Sequence, residues 1–338
     1  MAAQRVRTVV VTGGSAGVGR AVATAFGRRG WNVGVIARGE AGVEATVKEI
    51  RAAGGEALGV IADVADAEAM VDAARIFVLA FDEIDVWINN AMATVYAPVQ
   101  EMTPAEFARV TAVTYLGQVH GTLAALEQMR RQDRGTVVLV GSALAYRSIP
   151  LQSAYCAAKA AVRGFADSLR SELLHDGSRV RLTMVQLPAV DTPQFDWARS
   201  RLPRRPQPVP PIFAPEAVAA RIVEAALAAP RELWIGTPAW KAILGTMAAP
   251  GLVDRYLARH GYDGEMSDEP ARPDRPDNLD APVDRERDHG ARGRFGDRAI
   301  GRVVAADPRS LRAGLAGAGL ALVAGAAWLA SRRRDRPS

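Results

Sequence analysis

Within "SAYCAAKAAV", Ser153–Val162, a tyrosine and a lysine stand four residues apart on an otherwise small-residue stretch. The chain has three lysines, Lys48, Lys159 and Lys241, against thirty-nine arginines, so a lysine here departs from its own habit. At i and i+4, Tyr155 and Lys159 share one helix face. A phenol titrates near pH 10 and handles protons poorly at neutrality. A neighbouring ammonium favours phenolate and draws it toward the working range. A compact ammonium with rotatable donors suits a proton relay or a bridge to sugar hydroxyls; a broad, permanently charged guanidinium does not. Ser142 ends "TVVLVGS", where its hydroxyl would meet a carbonyl or alkoxide oxygen. Taken alone, the Tyr–Lys spacing fits a packing tyrosine and a solvated lysine better than a reactive pair.

A second motif changes that balance. "TGGSAGVGR", Thr12–Arg20, follows a β-branched run and opens a helical pattern, with glycines at 13, 17 and 19. Glycine permits the tight turn and close approach to a pyrophosphate, and the helix N-terminus adds unpaired N–H groups. At the end of the next strand an acidic residue would mark NAD. "VIARGE" instead has Arg38, whose planar fork suits the 2′-phosphate of NADP, so NADP is favoured over NAD.

These residues need a scaffold that brings strand ends together. Short β-branched runs at 8–11, 32–36, 57–61, 86–89, 136–140, 180–186 and 232–235 alternate with helical patterns at 18–29, 43–53, 67–80, 105–129, 153–174 and 215–228. Seven strands alternating with helices predict an α/β fold, a doubly wound parallel sheet covered on both faces. "TPAE", Thr103–Glu106, reads as a capping box with proline at the first helical position. Residues 194–214, rich in Pro, Arg and aromatics, read as a long loop over the site that admits an apolar substrate.

Charge and composition divide the chain further. Residues 1–262 carry 28 basic and 24 acidic side chains and read as the compact domain. Residues 263–308 carry 8 and 12, with few apolar residues, and are expected to be a disordered linker. Residues 309–338 carry 6 and 1 and contain an uncharged stretch of eighteen, 313–330. As a helix that stretch spans about 27 Å. Trp328 and flanking arginines suit an interfacial boundary, so we read it as a membrane anchor, with an Ala-rich partner-packing helix as the alternative. The single Cys156 excludes an internal disulfide and points to a reducing compartment, hence a cytoplasmic domain tethered by its tail. No basic footprint for nucleic acid is present, and the four histidines lack metal-ligand spacing.

Together these motifs resemble the short-chain dehydrogenase/reductase family, in its single-domain branch of about 250 residues, over residues 5–240. "TGGSAGVG" is similar to that family's TGxxxGxG, Asp63–Val64 to its adenine-contacting pair, Asn89-Asn90-Ala91 to the start of NNAG, and Ser142, Tyr155 and Lys159 to its serine and YxxxK. The resemblance implies a Rossmann-like sheet of order 3-2-1-4-5-6-7 and hydride transfer between a nicotinamide cofactor and an alcohol or carbonyl. It implies Tyr155 as general acid/base, Ser142 as carbonyl orienter, and Lys159 as ribose ligand and tyrosine activator. The implied cofactor contacts are Gly13, Ser15, Gly17, Val18, Gly19, Arg38, Asp63, Val64, Asn90, Tyr155, Lys159, Val190 and Thr192. A homodimer or homotetramer is expected. Three positions depart from the pattern. Met92 replaces the glycine of NNAG. Thr114 stands where an asparagine continues the proton relay, and is assigned that role here. "LPAVDTP", 187–193, is a shortened PGxxxT. These departures motivate a second reading, an NADP(H)-binding sensor or scaffold with little turnover.

Overall fold

The computed structural model describes residues 5–272 and 274–309. Among the described residues the central sheet has seven parallel strands: β1 (Thr8–Thr12), β2 (Asn32–Ala37), β3 (Glu56–Ile61), β4 (Val86–Asn89), β5 (Gly135–Ser142), β6 (Val180–Leu187) and β7 (Glu232–Ile235). Their order is 3-2-1-4-5-6-7, as expected, and β8 (Ala305–Ala306) adds an antiparallel edge beyond β7. Every residue of β1 and β4 is buried, which is why these runs are continuously apolar rather than alternating.

Among the described residues ten α-helices follow in chain order: α1 (Gly17–Gly27), α2 (Glu40–Ala52), α3 (Ala67–Phe81), α4 (Pro104–Thr111), α5 (Gly117–Gln132), α6 (Ser153–His175), α7 (Gln194–Trp197), α8 (Pro215–Ala228), α9 (Thr237–Ala248) and α10 (Pro250–Gly264). One core cluster joins α1, α2 and α8 to one face of the sheet; the other joins α3, α4, α5 and α6 to the opposite face. Because β1 leads outward to β2 while β4 is its other neighbour, the chain reverses direction between them. A crevice opens at their C-terminal ends, where such sheets bind ligands.

Local chemistry sets the boundaries. Thr103 and Glu106 close the expected capping box: Thr103 Oγ1 accepts from the Glu106 N–H at 3.3 Å and Glu106 Oε2 from the Thr103 N–H at 2.9 Å. The single helix expected over 105–129 is interrupted. A π-helical turn at Ala112–Leu116 separates α4 from α5, centred on Thr114. Such widened turns arise where a side chain is drawn out of the regular ladder.

The expected disordered linker is the larger correction. Residues 265–272 and 274–306 run as an ordered strap over the domain. Met266–Pro270 pairs with Arg204–Pro206, Ala299–Ile300 with Ile212–Phe213, and β8 with β7. The strap also buries Leu279, Phe295 and Val303 against the domain. Low apolar content argues against a core of its own, and it has none. The domain's arginines hold it instead: Arg20 pairs with Asp288, Arg199 with Asp277 and Asp280, and Arg205 with Glu269. Charge counting within the segment cannot see partners that lie outside it. The same ladders tie down residues 194–214, which form α7 and three short strands. Among the described residues no helix is long and apolar enough to cross a membrane. The anchor expected at 313–330 lies outside them.

Candidate active site

The turn after β1 is shaped by what surrounds it. Gly13 has φ +65°, and a Cβ there would lie 2.8 Å from the Ala91 Cα. Gly17 has φ +56° and makes room for the Thr192 side chain, 3.3 Å from where its Cβ would be. A Cβ on Gly19 would run into the Gly13 carbonyl, so Gly19 lets α1 close on the turn. α1 follows the N-cap residue Ala16, which gives no side-chain cap; the Gly17 N–H donates to the Gly290 carbonyl at 3.2 Å, and the next main-chain N–H groups are left at the crevice.

That crevice is a cavity of about 420 Å³. Its walls include Gly13, Ser15, Gly17, Val18, Arg38, Asp63, Val64, Asn90, Ser142, Tyr155, Lys159, Val190 and Thr192. The fold thus brings together all but two of the residues singled out in the sequence. Gly19 lies behind the turn. Thr114 is fully buried, and its hydroxyl is saturated: it donates to the Ala93 carbonyl at 2.8 Å and accepts from the Ala93 N–H at 2.9 Å. The relay role assigned to Thr114 is therefore corrected. It pins the chain that follows β4 and does not face the cavity. Asn90 lines the cavity, but its amide also donates to the Thr12 and Gly13 carbonyls at 3.1 and 3.2 Å, bracing the turn.

Ser142 ends β5 and Tyr155 and Lys159 share the first turns of α6, so strand and helix aim all three at one spot. Lys159 is 1% exposed; its Nζ donates to the Val140 carbonyl at 2.7 Å and lies 5.6 Å from the centre of the Tyr155 ring. Burial pulls the Lys159 ammonium down to about 7. Burial likewise raises the Tyr155 phenol well above its ordinary value, opposed by a hydrogen bond to Ser142. The expected lowering of the phenol by the ammonium is absent in the protein on its own; desolvation outweighs it.

The adenine-side pair is held by charge. Asp63 Oδ1 accepts from the Ala65 N–H at 3.0 Å and Oδ2 from Arg109. Burial raises this carboxyl, but those bonds and the charges of Arg109 and Arg38 outweigh it, and the net shift is downward. Arg38 donates to the Asn278, Leu279 and Asp280 carbonyls of the strap.

Sequence reasoning missed several cavity residues. Glu265, 1% exposed, accepts from Gln152 Nε2 at 2.6 Å, and burial pushes its carboxyl up to about 8. The fully buried Tyr96 hydroxyl lines the same wall and has no hydrogen-bond partner among the described residues. Asp284 enters from the strap. Glu265 and Asp284 sit in the segment expected to be disordered, and no periodic pattern marks either one.

A glycine turn opening a helix, meeting a Ser–Tyr–Lys cluster in one crevice of a doubly wound sheet, defines a dinucleotide-dependent oxidoreductase site. The short chain dehydrogenase family profile matches residues 7–202. The chain belongs to this family of oxidoreductases. It is 31% identical over 270 residues to the uncharacterized oxidoreductase YxnA of Bacillus subtilis, covering 79% of this chain and 76% of the relative. It is 34% identical over 192 residues to 3beta-hydroxysteroid dehydrogenase 1 of Eggerthella lenta, covering 55% of this chain and 72% of the relative. Among solved structures, a metagenomic short-chain oxidoreductase in complex with NADP is similar at a TM-score of 0.55 and 27% identity, covering 65% of this chain and 90% of that one. An alcohol dehydrogenase from Thermococcus sibiricus is similar in fold at a TM-score of 0.58 and 24% identity, covering 68% and 96%.

Proposed function

We propose that the protein moves a hydride between NADP(H) and the carbon of an alcohol or carbonyl substrate. The observation that carries this reading is the meeting of the glycine turn with Ser142, Tyr155 and Lys159 in one cavity. When bound, the nicotinamide supplies or accepts the hydride. The chain's own residues manage the oxygen and its proton. Ser142 donates to the substrate oxygen and holds it beside Tyr155. Tyr155 gives its hydroxyl proton to that oxygen in reduction and takes it back in oxidation. Lys159 is placed to hold sugar hydroxyls and to return a proton to Tyr155. The helix N-terminus after the glycine turn suits the pyrophosphate. Support for NADP over NAD comes from Arg38 at the end of β2 and from the NADP-bound structural relative.

We read the substrate as apolar. Leu144, Ile149, Phe195, Trp197 and Val209 line the cavity, and one relative's name is that of a steroid alcohol dehydrogenase. The chain is read as a homodimer or homotetramer with its tail on a membrane. The test is NADPH oxidation against a panel of apolar ketones and aldehydes. Turnover that falls at least a thousandfold in Tyr155→Phe, with NADPH binding retained, supports the reading. Unchanged turnover in that variant defeats it. Tight NADPH binding with no turnover on any carbonyl or alcohol would favour the sensor reading instead, which no feature of the cavity requires.

A further inference from the structure

We propose that Asp284, carried by the strap, selects which nicotinamide dinucleotide the site holds: the closed strap fits a 2′-hydroxyl, and a 2′-phosphate enters only by displacing it. The inference rests on the nicotinamide reading above and sets a condition on its NADP preference: Arg38 can take a 2′-phosphate only once the strap yields.

Arg38 does not offer a free fork. Its guanidinium donates to the main-chain oxygens of Asn278, Leu279 and Asp280, with Asp63 at 3.8 Å. Four residues after Asp280, Asp284 is 8% exposed and lines the cavity with Ser15, Arg38 and Asp63. Its carboxylate lies where a Cβ on Gly39 or Gly42 would stand, so the turn between β2 and α2 is shaped to receive it. Among the described residues that carboxylate has neither a hydrogen-bond donor nor an ion-pair partner, although the Arg38 charge is near enough to be felt.

The strap is fastened on both sides of Asp284. The Gly42 and Ala41 N–H groups donate to the Asp284 and Arg285 carbonyls, each at 3.2 Å. Arg109 Nε donates to the Leu279 carbonyl at 2.9 Å, and the Gly17 N–H to the Gly290 carbonyl at 3.2 Å. Asp284 is therefore held in place.

A carboxylate in this position accepts hydrogen bonds from ribose hydroxyls, the task an acidic residue at the end of β2 performs in NAD binders and that Arg38 cannot perform here. A 2′-phosphate meets two obstacles. Its charge would face the Asp284 carboxylate, and like charges brought that close repel. It would also have to take Arg38 from three carbonyls. A charge-assisted bidentate pair is strong enough to do that, and the strap then loses the three bonds that Arg38 makes to 278–280.

The full chain is titrated calorimetrically with NAD+ and NADP+, and amide hydrogen exchange of 278–285 is followed with each. NAD+ is expected to protect this segment and NADP+ to accelerate its exchange. Asp284→Asn is expected to shift the ratio of the two affinities toward NADP+ by threefold or more. Equal protection by both nucleotides, or a ratio moved by less than threefold, overturns the proposal. If Asp284→Asn does not fold, the exchange comparison on the unaltered protein decides alone. Failure of the unaltered protein to bind either nucleotide would defeat the cofactor reading itself, and shows before any variant is made.

Discussion

Lys159 places its ammonium against the Val140 carbonyl, behind the Tyr155 ring, with almost no water around it. Its proton affinity, about 7, should be visible in folding. An unfolded lysine keeps its proton to about pH 10.4. Between about 7 and 10.4 the unfolded chain binds more protons at this site, so stability climbs with pH there. Glu265 acts in the opposite sense. Its unfolded carboxyl releases a proton near pH 4.3, its folded one at about 8, so its contribution falls across that window. The two overlap from 7 to 8; above 8 the lysine is left. We expect the stability difference between wild type and Lys159→Met to grow in favour of wild type from pH 8 to 9.5, by at most about 1.4 kcal/mol per pH unit. Cys156, raised to about 11 by burial, is common to both proteins and cancels. Urea unfolding at stepped pH measures this, and parallel stability curves would show that Lys159 stays charged in the fold.

At the scale of elements, Thr114 shows how a position chosen for chemistry can turn out to hold structure. Its hydroxyl joins the π-helical turn before α5 to Ala93, after β4. Thr114→Val keeps the shape and leaves a buried N–H and C=O without a partner. The expected cost is about 1–3 kcal/mol. Thermal unfolding measures it, and Thr114→Ser should recover most of the loss because the hydroxyl is retained. Since Thr114 does not touch the cavity, the residual activity of folded Thr114→Val should stay within about tenfold of wild type, where a relay residue would cost 100-fold or more. The capping box, the seven strands and the helices beside them were legible because each is written in local spacing. The break in the 105–129 helix was not, because Ala93 lies far from Thr114 in sequence.

For the whole molecule, the strap alters where the functional unit ends. A chain cut before Asp263 would lose Glu265, Asp284 and every bond that Arg38 makes to the strap. The informative truncation therefore ends at Arg309 and removes only the tail. Full-length protein is expected to sediment with membranes and the chain ending at Arg309 to stay in the supernatant with its dinucleotide affinity intact. Equal distribution of the two would defeat the anchor reading.

The sequence by itself determined the alternation of strands and helices, the glycine turn and the Ser142–Tyr155–Lys159 cluster, and the sheet order followed from the family these motifs resemble. Their signals are short-range: a strand running into a glycine turn, a helix face of period near four, a hydroxyl at a strand end. Only the tertiary structure decided the rest. It showed that Thr114 holds Ala93, that Glu265 and Asp284 enter the cavity, and that Arg38 is bound to the strap. Each of these depends on partners between 21 and 242 residues apart, brought together by arginines and main-chain carbonyls that leave no periodic mark in the chain.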